Sequence, residues 1–255
     1  MILSDSLPVQ FWLTGYETYN EKELFGFNTR CFCQPWECGD EIKIQFQDTS
    51  GLPFYLLVYD EDDILIDTLN FNEDSPGVYS RSFIPDSNTP DICDQKILLK
   101  IRQGDTTIVA KSDCLDIKET HDGTIYITYS NGRNYAGIIN YSGGTPDISY
   151  YLRIPAVFNQ EQFPETDETL PLSNNRIISL NSQVKKQRLL ETDQMPYYMH
   201  LKVMEVLKNQ FITIDGVDYV KEEPYEQVSN TSKKWPMRRY TCWLTEKQYV
   251  VRNIL

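Results

Sequence analysis

Short runs of β-branched and aromatic residues, each closed by turn-forming residues, fill the first half of this chain and limit what it can fold into. Glu41-Ile42-Lys43-Ile44-Gln45-Phe46 alternates strictly. Ile42, Ile44 and Phe46 therefore share one face of a strand, and the polar residues share the other. Asp48-Thr49-Ser50-Gly51 turns the chain into Phe54–Tyr59, and Asp60-Glu61-Asp62-Asp63 separates that run from Ile64-Leu65-Ile66. Val78–Phe83, Lys96–Arg102, Thr107–Ala110 and Cys114–Ile117 continue the pattern. Runs at spacings of roughly 8–15 residues with Gly, Pro, Asn and Asp between them are the signature of a sandwich or barrel, and an antiparallel β-sandwich is expected. No long helical period interrupts them, which argues against a parallel βαβ sheet.

Lys118-Glu119-Thr120-His121-Asp122-Gly123 has turn composition, and a domain boundary is expected there. Residues 1–118 hold 21 acids against 9 bases, whereas residues 119–255 hold 16 against 15. All but one unit of the net charge of −13 thus belongs to the first unit, as expected of two domains with different surfaces. The expected division is an acidic β-sandwich over 1–118 and a β-rich domain with one helix over 119–255, a mainly β chain that is α+β in its second half. That half opens with the alternating Thr124–Tyr129. Ile148–Ile154 is expected to stop at Pro155, Phe163–Glu168 to be a charged loop, and Arg176–Leu180 with Gln183–Leu189 to be a strand pair. Tyr197, Leu201, Met204 and Leu207 then recur at helical spacing and predict a helix over 196–208, with Thr192 or Asp193 as cap and Pro196 in its first turn. Phe211–Ile214, Asp215-Gly216 and Val217–Val220 spell a hairpin, because a type I′ turn needs positive φ at both central residues. A last strand pair is expected at Arg239–Leu244 and Tyr249–Arg252.

At 255 residues, 40% apolar and 13% aromatic, the chain can bury a core and is not a disordered polymer. No apolar run approaches the roughly 20 residues that span a bilayer. Met1-Ile2-Leu3-Ser4-Asp5 lacks a basic region leading into an apolar one, so no secretory leader is expected. The acidic balance weighs against nucleic-acid readout. Without export, the six cysteines (Cys31, Cys33, Cys38, Cys93, Cys114, Cys242) are expected to be structural thiols rather than disulfides or metal ligands. Cys31, Cys33 and Cys38 resemble a zinc cluster only loosely, since no C-x₂-C knuckle is present.

Enzymatic constellations find little support. The Asp60–Asp63 tetrad lacks the central Gly and twelfth-position Glu of an EF-hand and reads as a solvated hairpin tip. No carboxylate pair is singled out for glycoside hydrolysis. His121 lies in the expected linker. His200, at the edge of the helical stripe, is expected to be a partly packed surface residue. No nucleophile elbow or phosphate-binding glycine motif occurs. No catalytic, cofactor-binding or metal-ligating residue is therefore assigned, and no enzymatic activity is expected. Two basic clusters stand out, one with Lys185, Lys186 and Arg188, the other with Lys233, Lys234, Trp235, Arg238 and Arg239. They are candidate interface residues. They could touch phosphate or carbohydrate, meet the acidic first domain of a neighbouring copy in a head-to-tail ring, or simply be solvated.

From Tyr150 onward the wording becomes specific. Tyr151-Leu152-Arg153-Ile154-Pro155-Ala156-Val157-Phe158, Phe163-Pro164-Glu165-x-Asp167-Glu168, Leu180 through Thr192, Met195-Pro196-Tyr197-Tyr198-Met199-His200-x-Lys202, Val220-Lys221-Glu222-Glu223 and Val250-Val251-Arg252-Asn253 carry it. This stretch resembles structural tail-module proteins of phages that infect Bacteroidetes, including the crAss-like group. The first half is similar only in outline, through Cys31-Phe32-Cys33-Gln34-Pro35 and Ser112-Asp113-Cys114-Leu115-Asp116-Ile117. The resemblance implies a virion component, a ring or tail-tip subunit assembled in the host cytoplasm. Its partners would be further copies of itself in a cyclic homo-oligomer and adjoining tail proteins. Thirty-two Trp, Tyr and Phe residues suit such contact surfaces. The rival readings are a carbohydrate-binding adhesin using Trp36, Trp235 or Trp243 and, behind it, a polysaccharide hydrolase using paired carboxylates.

Overall fold

The computed structural model describes residues 1–3, 7–14, 32–85, 92–132, 148–171, 177–228 and 237–254. They form a mainly β protein with one α-helix among the described residues. In the first half, β1 (Ile2–Leu3), β4 (Ile42–Gln47), β7 (Asn72–Ser75) and β8 (Val78–Phe83) make a sheet in the order β1-β4-β8-β7. A second sheet runs β2 (Phe11–Leu13), β10 (Thr107–Ser112), β9 (Lys96–Gln103), β11 (Leu115–Lys118), β3 (Gln34–Glu37). The hairpin of β5 (Phe54–Asp60) and β6 (Leu65–Asn70) joins it through β9. Ile42, Ile44 and Phe46 of the first sheet and Leu56, Val58, Leu99 and Ile101 of the second share one hydrophobic core. The alternation read in Glu41–Phe46 thus selects the core face as expected. Its opposite face is not simply solvated, because Gln45 is buried and accepts a hydrogen bond from Tyr150 Oη at 3.0 Å. The one parallel pairing among the described strands is β3 with β11.

The second half builds a different object. β12 (Thr124–Ser130), β13 (Tyr150–Gln162), β15 (Ile177–Thr192), β19 (Tyr240–Ile254), β17 (Val217–Lys221) and β16 (Phe211–Ile214) pair antiparallel in that circular order, with β16 returning to β12. The ring of six strands closes on itself, which removes free edges from the barrel proper. β14 (Glu165–Pro171) continues the line of β13 along the same side of β15, and β18 (Glu226–Gln227) pairs with β19. Ile125, Ile127, Leu152, Ile154, Leu190, Ile212, Ile214 and Leu244 belong to its core. The Asp215-Gly216 turn is as expected: φ is 48° at Asp215 and 82° at Gly216.

Four expectations fail here for a common reason: neighbouring strands satisfy a backbone that local residue chemistry would have interrupted. The predicted loop Phe163–Glu168 is mostly the strand β14. Each expected pair is one long strand, β15 and β19, with Arg176 outside the described residues, and bulges absorb the irregularities, as at Lys185/Gln187 on β15. Pro155 does not stop β13. Its carbonyl accepts from Asp193 N at 2.8 Å, and the β13–β15 register starts at the next residue, Ala156. The hydrogen bond a proline cannot donate therefore falls at the end of that ladder.

The helix α1 spans Tyr197–Val206, but the face it buries differs from the one its sequence suggests. Met199, Val203 and Val206 enter the core together with Leu207 of the expected stripe, whereas Tyr197 and Leu201 are exposed and Met204 is half-buried. Pro196 sits at the N-cap with no side-chain cap, and the expected cap Thr192 instead exchanges hydrogen bonds with the backbone of Tyr240. Val203→Ala is expected to cost about 2 kcal/mol by leaving a cavity, and Leu201→Ala no more than about 0.5 kcal/mol. Urea unfolding of the two variants checks the assignment of the faces.

Candidate functional site

A buried polar seam joins first-half strands to the barrel. Arg153 projects from the outer face of β13 and is 8% exposed. Its Nε donates to Asp40 Oδ2 at 2.6 Å, and Nη2 donates to Asp40 Oδ1 at 3.0 Å and Glu37 Oε2 at 2.7 Å. Nη1 donates to Thr124 Oγ1 at 3.0 Å, and the guanidinium lies 5.1 Å from the Tyr126 ring centroid. Such fork geometry is what makes arginine the suitable cation for the buried Asp40 carboxylate and the half-buried Glu37 beside it. The 118–123 connection is anchored too: His121 N donates to Glu37 Oε1 and its ring contacts the Asp116 carbonyl.

The helix supplies a second seam. Lys202 is buried and its Nζ donates to the Leu7 carbonyl at 2.5 Å. Trp12 Nε1 donates to Asp113 Oδ1 at 3.0 Å, and the Trp12 and Tyr198 rings meet edge to face at 5.6 Å. Burial pushes the Asp113 carboxyl up, against hydrogen bonds from Tyr198 and Trp12 and the charge of Lys202. Leu7 and Phe32 belong to the same hydrophobic core as the barrel residues.

His200 is not the surface residue expected. It is 2% exposed, with Nε2 2.7 Å from the Arg238 carbonyl and Nδ1 2.8 Å from Tyr225 Oη. A carbonyl only accepts, so Nε2 carries the proton and Nδ1 accepts from the tyrosine. Burial lowers its pKa to about 4. With both nitrogens engaged in a buried position, it joins the helix to β19 rather than acting as a base.

The proposed interface residues divide into two groups. Lys185 donates to Glu222 at 2.7 Å. Although burial acts to raise it, the Glu222 carboxyl is held below its usual range by Lys185 and Thr245. Lys186 lies 3.4 Å from Glu161 and 3.3 Å from Glu246, and Arg188 lies 3.8 Å from Glu161. Arg239 reaches Glu191 at 3.4 Å, and Arg238 covers the Tyr197 ring at 4.7 Å. The charges of Lys185, Lys186, Arg188 and Arg239 are therefore offset within the chain, which weakens the case for a free basic face. Lys233, Lys234 and Trp235 lie outside the described residues.

The cysteines differ from expectation. Cys33 is bonded to Cys114 and Cys38 to Cys93, over separations of 81 and 55 residues. The parallel register Gln34↔Leu115 brings the first pair together, a proximity that spacing along the chain does not show. Cys242 is free and buried, and burial pushes its thiol up to about 11. Cys31 lies outside the described residues. Peptide mapping without reductant is expected to recover the 33–114 and 38–93 cross-links, and recovery of those four cysteines as free thiols would restore the original expectation.

The Asp60 tetrad is the hairpin tip expected: Asp60 Oδ1 accepts from the Asp62 and Ile64 backbone N–H groups, and residues 61–63 are exposed. It borders an open polar groove of about 560 Å³ with Asp94 and Asp116. A neighbouring cavity of about 660 Å³ is lined by Lys100, Lys111, Asp113 and the Cys33–Cys114 bridge. Among the described residues no three His, Cys, Asp or Glu side chains are grouped to hold a metal ion. No helix among the described residues is long and apolar enough to cross a membrane. Trp36 is fully buried, which removes it as a stacking platform for sugar, and Trp243 is half-buried. No protein-family model, curated protein or solved structure matches this chain.

Proposed function

We propose that this chain is a structural virion protein of a phage tail, a ring or tail-tip subunit that acts by assembling with copies of itself. In this reading residues 1–118 form a β-sandwich domain and residues 119–255 the barrel domain, and adjoining tail proteins complete its contacts. It works in the virion tail after assembly in the host cytoplasm, without membrane span or direct nucleic-acid readout, and without catalysis.

The observation that carries the reading is the antiparallel ladder of long strands in the second half. β13, β15 and β19 run 13, 16 and 15 residues, well beyond the usual 5–6, and extend past the barrel into a ribbon with β14. The same stretch carries the resemblance to tail-module proteins. A rigid barrel fastened by buried ion pairs to a second β-layer, with a ribbon held out beyond it, suits lateral contact between subunits. The adhesin reading is weakened by the burial of Trp36.

Native mass spectrometry of the purified chain is expected to show one oligomer at an integer multiple of 29.8 kDa. A strictly monomeric chain across micromolar concentrations would sink the proposal.

A further inference from the structure

Among the described residues, the ribbon has two edges that no strand pairs with, and their sequences carry opposite charge. In register, Glu165, Thr166, Asp167 and Glu168 of β14 oppose Val184, Gln183, Ser182 and Asn181 of β15. On the other side of those β15 residues stand Val251, Arg252, Asn253 and Ile254 of β19. The same four rows therefore end at β14 on one side and at β19 on the other. β17 leaves β19 at Glu246, and no strand among the described residues pairs with the outer edge of β14 or with that of residues 247–254.

Unpaired N–H and C=O rows of this kind are templates for another strand unless something opposes it. Residues 165–171 contain Glu165, Asp167 and Glu168 and no base, whereas residues 247–254 contain Lys247 and Arg252 and no acid. Pairing β14 with β14, or β19 with β19, across a two-fold axis would set like charges against each other, which is destabilising across strands. Pairing β14 with β19 sets opposite charges together, and the segments match in length at seven and eight residues.

Resting on the self-assembly reading, the geometry points to a second copy of this chain as the occupant: the acidic edge strand β14 of one subunit adds to the basic edge of β19 in the next. The contact is heterologous, so repetition yields a ring or an open filament. β14 and β19 both run antiparallel to β15 and hence parallel to each other, and the junction between copies is a parallel pair carried by main-chain hydrogen bonds.

Two variants of the full chain test this by mass photometry, with circular dichroism as the folding check. K247E/R252E reverses the basic edge and E165K/E168K the acidic edge. Each alone is expected to raise the concentration for half-assembly at least tenfold. A one-to-one mixture, and a chain carrying all four changes, are expected to assemble again. In the wild-type oligomer, hydrogen exchange at 165–171 and 247–254 is expected to be slowed relative to the monomer. A wild type that assembles while both variants assemble equally well, or outer amides that exchange freely in the oligomer, would overturn the edge contact and leave self-assembly standing. A wild type that never assembles would overturn both.

Discussion

Replacing Arg153 with Ala is expected to destabilise the protein by about 3–5 kcal/mol, the usual cost of removing one partner from a buried ion pair. Most of that cost belongs to what is left behind. Asp40 is 7% exposed and receives two hydrogen bonds from the guanidinium, so without them its carboxylate is desolvated with only the Glu37 N–H on the same oxygen at 2.8 Å. Glu37 loses its charged partner in the same step and keeps only the His121 N–H, and the face of Tyr126 loses the guanidinium. Asp40→Asn keeps the shape and removes the charge, but it leaves the arginine facing Glu37, so a smaller loss is expected. The change should also loosen the seam: protease cleavage and hydrogen exchange should increase around residues 37–41 and 153–156 before the barrel core opens. Urea unfolding checks the magnitude. A loss below about 1 kcal/mol would mean that this network does not hold the first-half strands to the barrel.

Acid is expected to unfold the protein partly through His200. The folded pKa of about 4 lies below the ordinary value of 6.5, so the unfolded chain takes up the proton first. The neutral imidazole's contribution is present in full above about pH 6.5 and declines as pH falls toward 4. At most it reaches about 3 kcal/mol, from about 1.4 kcal/mol per pKa unit. Tyr225, Tyr240 and the Arg238 main chain surround the ring and offer no carboxylate to compensate a charge. Glu222, whose carboxyl is held below its usual range, titrates in every variant, so the comparison is between the wild type and His200→Gln. The variant should be less stable at pH 7, with a gap that narrows toward pH 4. A gap independent of pH would show that His200 is not buried neutral.

What was legible in the sequence is what short-range chemistry decides. The Asp215-Gly216 hairpin follows from two residues that tolerate positive φ, and the core face of β4 from simple alternation. The Asp60 tip follows from charge density that needs water. The helix was legible but its buried face was not, because Tyr197/Leu201 and Met199/Val203/Val206 are both apolar stripes and only the barrel decides between them. Lys202 and His200 were out of reach for the same reason: their partners, Leu7 and Arg238, lie 195 and 38 residues away. The disulfides likewise join strands whose adjacency is a property of topology. Local chemistry breaks the long strands because Asn181-Ser182 and Pro155 are turn-formers, and flanking ladders override that preference.

The central claim is that these side chains fit copies of the chain and adjoining parts rather than transform a molecule. Its most direct test is a cryo-electron density map of the phage particle proposed to carry this chain. The barrel and its ribbon should fit repeated density in the tail, related by one closed rotational symmetry, with β14 of each copy beside β19 of the next. Particles whose tails contain no density for the chain would contradict that claim.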